Sequence, residues 1–165
     1  MQTLLSIFRT THNILQLSLA DLDERAAQRR TREDSGPSIT WTVGHLLDHR
    51  FKVLKLLGVD RSNPYTSDFG DTPATDGSNY PTLESLRQQW EQVHAELEAA
   101  FARAPANMLD RPLPSAGAHG ESHIRDRLAF YAWHEGYHTG VIGAARKAIG
   151  LPGPAELVRA TAEST

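Results

Sequence analysis

A chain of 165 residues, 39% hydrophobic and 22% charged, has the makeup of a soluble globular protein and is expected to form one domain over 1–153 with a short tail, 154–165. Its net charge of −3, from 17 Lys and Arg against 20 Asp and Glu, argues against a general polyanion-binding surface, so no nucleic-acid partner is expected. The absence of cysteine excludes disulfides, thiolate metal sites and a cysteine nucleophile, and leaves nitrogen and oxygen to ligate any metal.

The first periodic segment runs from about Thr3 to Arg30, with Leu4, Ile7, Phe8, Ile14, Leu15, Leu22 and Ala26 at helical steps. Arg9 and His12 fall where a signal peptide would carry its apolar region, and no stretch approaches the ~18 apolar residues of a membrane span, so a cytoplasmic protein without a membrane partner is expected. The basic cluster Arg25 to Arg32, interrupted by Glu33 and Asp34, reads as a solvated helix end. Gly36-Pro37 then closes the helix.

Ser38 is a suitable N-cap for a second helix through Leu57, with Gly58 as its C-terminal cap. From Val59 to Pro81 helical periodicity disappears among Asp, Ser, Asn, Pro, Gly and Thr, which predicts a long crossover loop of a length that often serves as a lid. Thr82 opens a third helix to about Ala104, carrying the core stripe Leu86, Trp90, Val93, Leu97 and Phe101. A Pro- and Gly-containing connector, Pro105 to Glu121, leads to a fourth helix that starts at Ser122 or His123 and runs through Ile149. The pattern is all-α. The tail after Pro154 forms a short helix or frays.

Eight histidines are many for this length. His134 and His138 are four apart, so they share one face of the fourth helix about one turn from each other. Phe130, Tyr131, Trp133, Tyr137, Val141 and Ile142 surround them, which turns that face inward. A buried imidazole without a partner costs about 1–3 kcal/mol, so the pair needs a metal ion or hydrogen-bonding side chains. The second helix offers His45 and His49 as a third ligand. His45 is preferred because it lies between Gly44 and Leu46-Leu47, whereas His49 neighbours Asp48, Arg50 and Lys52. Gly44, Gly136, Gly140 and Gly143 would each allow a close approach to the helix that carries them. His12, which could line the core, His94, on a polar helix face, and His119 and His123, near a loop end, need no metal.

The segments Pro37-Ser38-Ile39-Thr40-Trp41-Thr42-Val43-Gly44-His45-Leu46-Leu47 and His134-Glu135-Gly136-Tyr137-His138-Thr139-Gly140, with the continuation Arg146-Lys147-Ala148-Ile149-Gly150-Leu151-Pro152-Gly153, resemble the DinB/YfiT-like superfamily of metal-dependent proteins. The resemblance implies an antiparallel four-helix bundle with a long crossover between helices two and three. It also implies one divalent ion held by His45, His134 and His138. In some members the first ligand lies eight positions after the tryptophan, which would select His49.

Three protein ligands leave a coordination position open, the arrangement of catalytic rather than structural sites. Imidazole ligands suit zinc, nickel, iron or copper. Glu135, Asp48 and Tyr137 are the nearest candidates for a proton-transfer role in sequence. The resemblance implies a metal-dependent hydrolase or a transferase that activates a low-molecular-weight thiol, with a small-molecule substrate and a helix-mediated homodimer. A non-catalytic metal-binding or stress-response protein is the alternative.

Overall fold

The structure is a computed structural model that describes residues 1–32, 35–70, 72–75, 77 and 79–163. The two acids expected to interrupt the basic cluster, Glu33 and Asp34, lie outside the described residues. The first helix, α1 (Gln2–Leu19), stops eleven residues before its predicted end, and a separate short helix, α2 (Glu24–Gln28), follows. The break has a local and a distant cause. Asp23 caps α2 by accepting the Ala26 amide at 2.7 Å, which requires an extended residue where the predicted helix would continue. Asp21 is held by both terminal nitrogens of Arg146, 125 residues away, at 2.6 and 2.9 Å.

A short antiparallel ribbon, β1 (Arg30–Arg32) with β2 (Ser35–Ser38), which the sequence pattern does not predict, is added to a mostly helical chain in keeping with the all-α expectation. Gly36 allows it, with φ of +80° in the left-handed region. Helix α3 (Ile39–Leu56) then starts on Ser38, whose hydroxyl accepts the Trp41 amide at 3.1 Å. The crossover contains one turn of helix, α4 (Thr66–Phe69), and Phe69 is fully buried. Helix α5 (Leu83–Arg103) is capped by Thr82, as the sequence predicts. A 3-10 turn (Met108–Asp110) leads to α6 (Ile124–Ala148), where Asp126 accepts the His123 amide at 2.9 Å. The tail forms α7 (Pro154–Glu163), lying against α1 and α6.

The four long helices bury one another: α1 packs on α5 and α6, and α3 packs on α5 and α6. Their shared core includes Phe8, Leu15, Leu19, Leu46, Leu47, Leu54, Leu86, Trp90, Leu97 and Leu128. Burying a leucine- or phenylalanine-sized side chain contributes about 1.5–3 kcal/mol, so this core supplies most of the driving force for folding. The α3–α6 seam within it carries the polar residues of interest. No helix among the described residues is long and apolar enough to cross a membrane.

Candidate metal centre

Along the α3–α6 seam, His45 and His49 from α3 face His134 and His138 from α6, all four half-buried. The four-residue spacing within each helix stacks the rings one turn apart, and the packing of the helices brings the two pairs together. His134 Nε2 lies 3.4 Å from His45 Nε2 and 3.1 Å from His138 Nε2. One ring nitrogen from each of His45, His134 and His138 falls within 4.8 Å of the other two. Tetrahedral zinc with Zn–N bonds of ~2.0–2.1 Å separates its ligand nitrogens by about 3.3 Å, so the observed spacing suits one ion.

The outer nitrogens explain why the inner ones point at each other. His45 Nδ1 sits 3.3 Å from the Phe69 carbonyl, which can only accept, so Nδ1 carries the proton and Nε2 presents its lone pair. His134 Nδ1 is 2.8 Å from His49 Nδ1, and a proton donated by His134 to His49 leaves the His134 Nε2 lone pair inward as well. His138 Nδ1 is buried and has no hydrogen-bond partner among the described residues. Lone pairs converging at such distances repel unless a proton or a cation lies between them. The donor set, three imidazoles with no carboxylate or thiolate, suits zinc, nickel or iron. His49, weighed in sequence as an alternative ligand, instead touches the outer nitrogen of a ligand candidate.

Gly44 and the crossover set the position of His45. A Cβ at residue 44 would clash with three carbons of the Phe69 ring, so the missing side chain is what lets α4 dock on α3 and offer its carbonyl to His45. Trp41 covers the other side, its ring stacked on His45 with centroids 4.7 Å apart. Gly143 faces Pro154, whereas added carbons at Gly136 and Gly140 would meet nothing, so the close approach expected there is absent.

Burial dominates the acid–base behaviour of the cluster. It pushes His49 down to about 2, His138 to about 3 and His134 to about 4, and the neighbouring imidazoles add to the effect in each case. The charge of Lys52 contributes at His49 and His134. These three rings are therefore neutral at neutral pH, the form a metal ligand needs.

None of the three residues considered for proton transfer is a free base at the cluster. Glu135 is buried but faces away, accepting from Arg50 at 2.7 and 3.0 Å and from the Thr11 hydroxyl at 2.5 Å. Asp48 is also buried and is engaged by Asn63 at 2.8 Å and Lys52 at 2.8 Å. Tyr137 and Trp133, expected to line the inward face, are 56% and 62% exposed and stack on each other outside. The helix turns them outward because positions 133 and 137 lie about 100° from 134 and 138.

Sequence reasoning missed Arg50, which is fully buried and central to a second polar cluster. Its guanidinium also lies 3.5 Å from the Trp90 ring centroid, donates to the Phe8 carbonyl at 3.2 Å and reaches His94 Nδ1 at 3.3 Å. His94, expected on a polar face, stacks on the buried His12 with centroids 3.7 Å apart. Burial foremost pushes His12 to about 3 and His94 to about 4. The charges of Arg50 and Glu135 were visible in the sequence, but 85 positions separate them and nothing local marks them as partners. His119 stacks on Phe130, and His123 caps α6 through its backbone, so neither joins the centre.

A mostly helical chain whose histidines converge from two long helices on one point is a protein able to hold a single metal ion in a helix seam. The family model of the DinB superfamily matches residues 7–142, which span α1 through most of α6, and the chain belongs to that superfamily. Among curated proteins, nothing matches it.

Proposed function

We propose that the protein is a metal-dependent enzyme acting on a small molecule, with His45, His134 and His138 as the ligands of one divalent ion. We also read α1, α3, α5 and α6 as an antiparallel four-helix bundle, a reading supported by their mutual packing and by family membership. The observation that carries the metal site is the convergence of the three ring nitrogens, two of whose separations are 3.1 and 3.4 Å. When bound, a divalent ion with an open position supplies Lewis acidity, lowering the pKa of a coordinated thiol or water.

The chain's own residues prepare the site in three ways. The Phe69 carbonyl fixes the tautomer and ring plane of His45, and the Nδ1–Nδ1 hydrogen bond with His49 holds the ring plane of His134; with His134 as its donor, the His134 Nε2 lone pair is left for the ion. Trp41 covers one side of His45 and limits the approach of water. Burial keeps His134 and His138 neutral without help from the ion.

Of the two reactions, transfer of a low-molecular-weight thiol to an electrophile fits better than hydrolysis by a carboxylate-assisted mechanism. Glu135 is committed to a buried ion pair with Arg50, and the buried Asp48 carboxylate is held by the half-exposed Lys52, so thiol activation would rest on the ion alone. The test begins with elemental analysis of the purified protein, followed by thiol consumption with an electrophilic acceptor and cleavage of model esters, each with and without chelator. Chelator-sensitive thiol consumption supports the proposal. Ester cleavage without thiol would replace it with a hydrolase, and a protein that takes up no divalent ion would overturn it.

A further inference from the structure

The seam that holds the histidines continues past them into a cavity of about 460 Å³. On α3 the series His45, His49, Lys52, Leu56 advances by three or four residues, and on α6 the series His138, His134, Tyr131, Arg127, Ile124 does the same in the opposite direction. Residues at such spacings share one helix face, so both series line the same groove. Tyr131 is the junction: its ring lies 5.4 Å from His49, and it also lines the cavity.

The lining has two characters. Leu56, Leu113, Ile124 and Tyr131 supply an apolar floor, and the cations Lys52, Lys55 and Arg127 line the same cavity, with no acid among its lining residues. Two of these cations have acidic neighbours outside the lining. Lys52 reaches Asp48 at 2.8 Å, and Arg127 lies 3.3 Å from Glu121. Lys55 is exposed and makes no ion pair among the described residues. A lysine in that position, beside a guanidinium with further donors, can hold an anion by charge-assisted hydrogen bonds while the floor covers an apolar body. A second cavity, lined by His45 itself with Trp41, Pro37, Thr72 and Pro73, has no Lys, Arg, Asp or Glu among its described lining residues, so the two cavities differ in kind.

We propose that the Lys52–Lys55–Arg127 cavity binds the anionic end of the protein's small-molecule ligand, an organic carboxylate or phosphate with an apolar body. At 1.5 Å per residue, Lys52 and Arg127 stand about 10 Å along the groove from His45 and His134, and Lys55 about 15 Å from His45, which sets the separation between the anion and the atom presented to the metal site. The binding itself does not depend on the metal: the cavity lies beyond the histidines and is formed by different side chains.

The test is a titration of metal-free and zinc-loaded full-length protein with phenylacetate, phenyl phosphate and neutral phenylacetamide, followed by calorimetry and by amide chemical shifts. At least one anion is expected to saturate and to shift the amides of Lys52, Lys55, Leu113 and Arg127, whereas the neutral amide binds about tenfold more weakly. The tighter of the two anions identifies a carboxylate or a phosphate ligand. Lys55→Gln, at an exposed position that the fold does not need, is expected to weaken anion binding about fivefold, and Arg127→Gln at least as much. Equal binding of amide and anions, unchanged affinity in both variants, or shifts confined to other surfaces would overturn the proposal. Failure here leaves the histidine site standing, and a protein that binds no metal leaves this cavity standing, because the metal-free titration reads it alone.

Discussion

Two polar clusters lie one residue apart along both α3 and α6, and they handle burial in opposite ways. His49 and His134 point into the seam toward the ligand candidates, while their neighbours Arg50 and Glu135 point across the helices to α1 and α5. The Arg50–Glu135 cluster is internally compensated: each carboxylate oxygen accepts from the guanidinium, Thr11 adds a further bond, and Trp90 lies beneath the charge. The histidine cluster is not, since its inner nitrogens face one another and His138 Nδ1 lacks a partner among the described residues. A buried polar network that closes on itself holds structure together; one that leaves converging lone pairs is arranged for something added.

The largest expected effect comes from breaking the closed cluster. Arg50→Met strands a buried carboxylate and is expected to cost about 3–5 kcal/mol, while Arg50→Met with Glu135→Leu recovers most of it, as read by denaturant unfolding. A single variant as stable as the double would show that the pair is not coupled. Metal affinity sharpens the other side of the comparison. His45→Ala, His134→Ala and His138→Ala should each abolish stoichiometric zinc uptake, whereas His49→Ala should weaken it by about 10–100-fold, the effect of losing a group that orients a ligand. Equal losses in all four would make His49 a ligand.

Gly44→Ala tests the link between fold and site. It forces Phe69 off α3 and should cost about 1–3 kcal/mol together with a measurable loss of zinc affinity, because His45 loses its carbonyl partner. Stability unchanged by this substitution would rule out the tight contact. The mildest effect is that of pH on the metal-free protein. His12, His94, His134, His138 and His49 have folded pKa values of about 2 to 4, below the ordinary 6.5, so the unfolded chain binds more protons between those limits. Their contribution is fully present above about pH 6.5 and is lost progressively as pH falls toward 4. A denaturation midpoint flat from pH 7 to 4.5 would contradict this burial.

Much of the architecture was legible in the chain because helix signals are local. Ser38 and Thr82 cap the helices they were expected to cap, and Gly58 and Gly150 follow the ends of α3 and α6 with positive φ. The break in the first helix was not legible, since a caps-and-periodicity reading passes through Asp21-Leu22-Asp23 and the Asp21 partner, Arg146, comes from the other end of the chain. The ribbon was missed for a similar reason: its pairing joins short polar segments without alternating hydrophobicity.

At the site, the sequence by itself determined which residues share a helix face, because 3.6 residues per turn makes His45 with His49, and His134 with His138, neighbours whatever the surroundings. It also determined the chemical kind of donor, since a chain without cysteine offers imidazole and oxygen alone. Only the tertiary structure decided which ring nitrogens converge, that His49 supports His134 from behind, and that Arg50 and Glu135 close a buried ion pair beside them. Those outcomes depend on the rotation and depth at which α3 meets α6 and on Phe69 docking against Gly44. Such relations join residues 24 to 89 positions apart, and no local propensity encodes them.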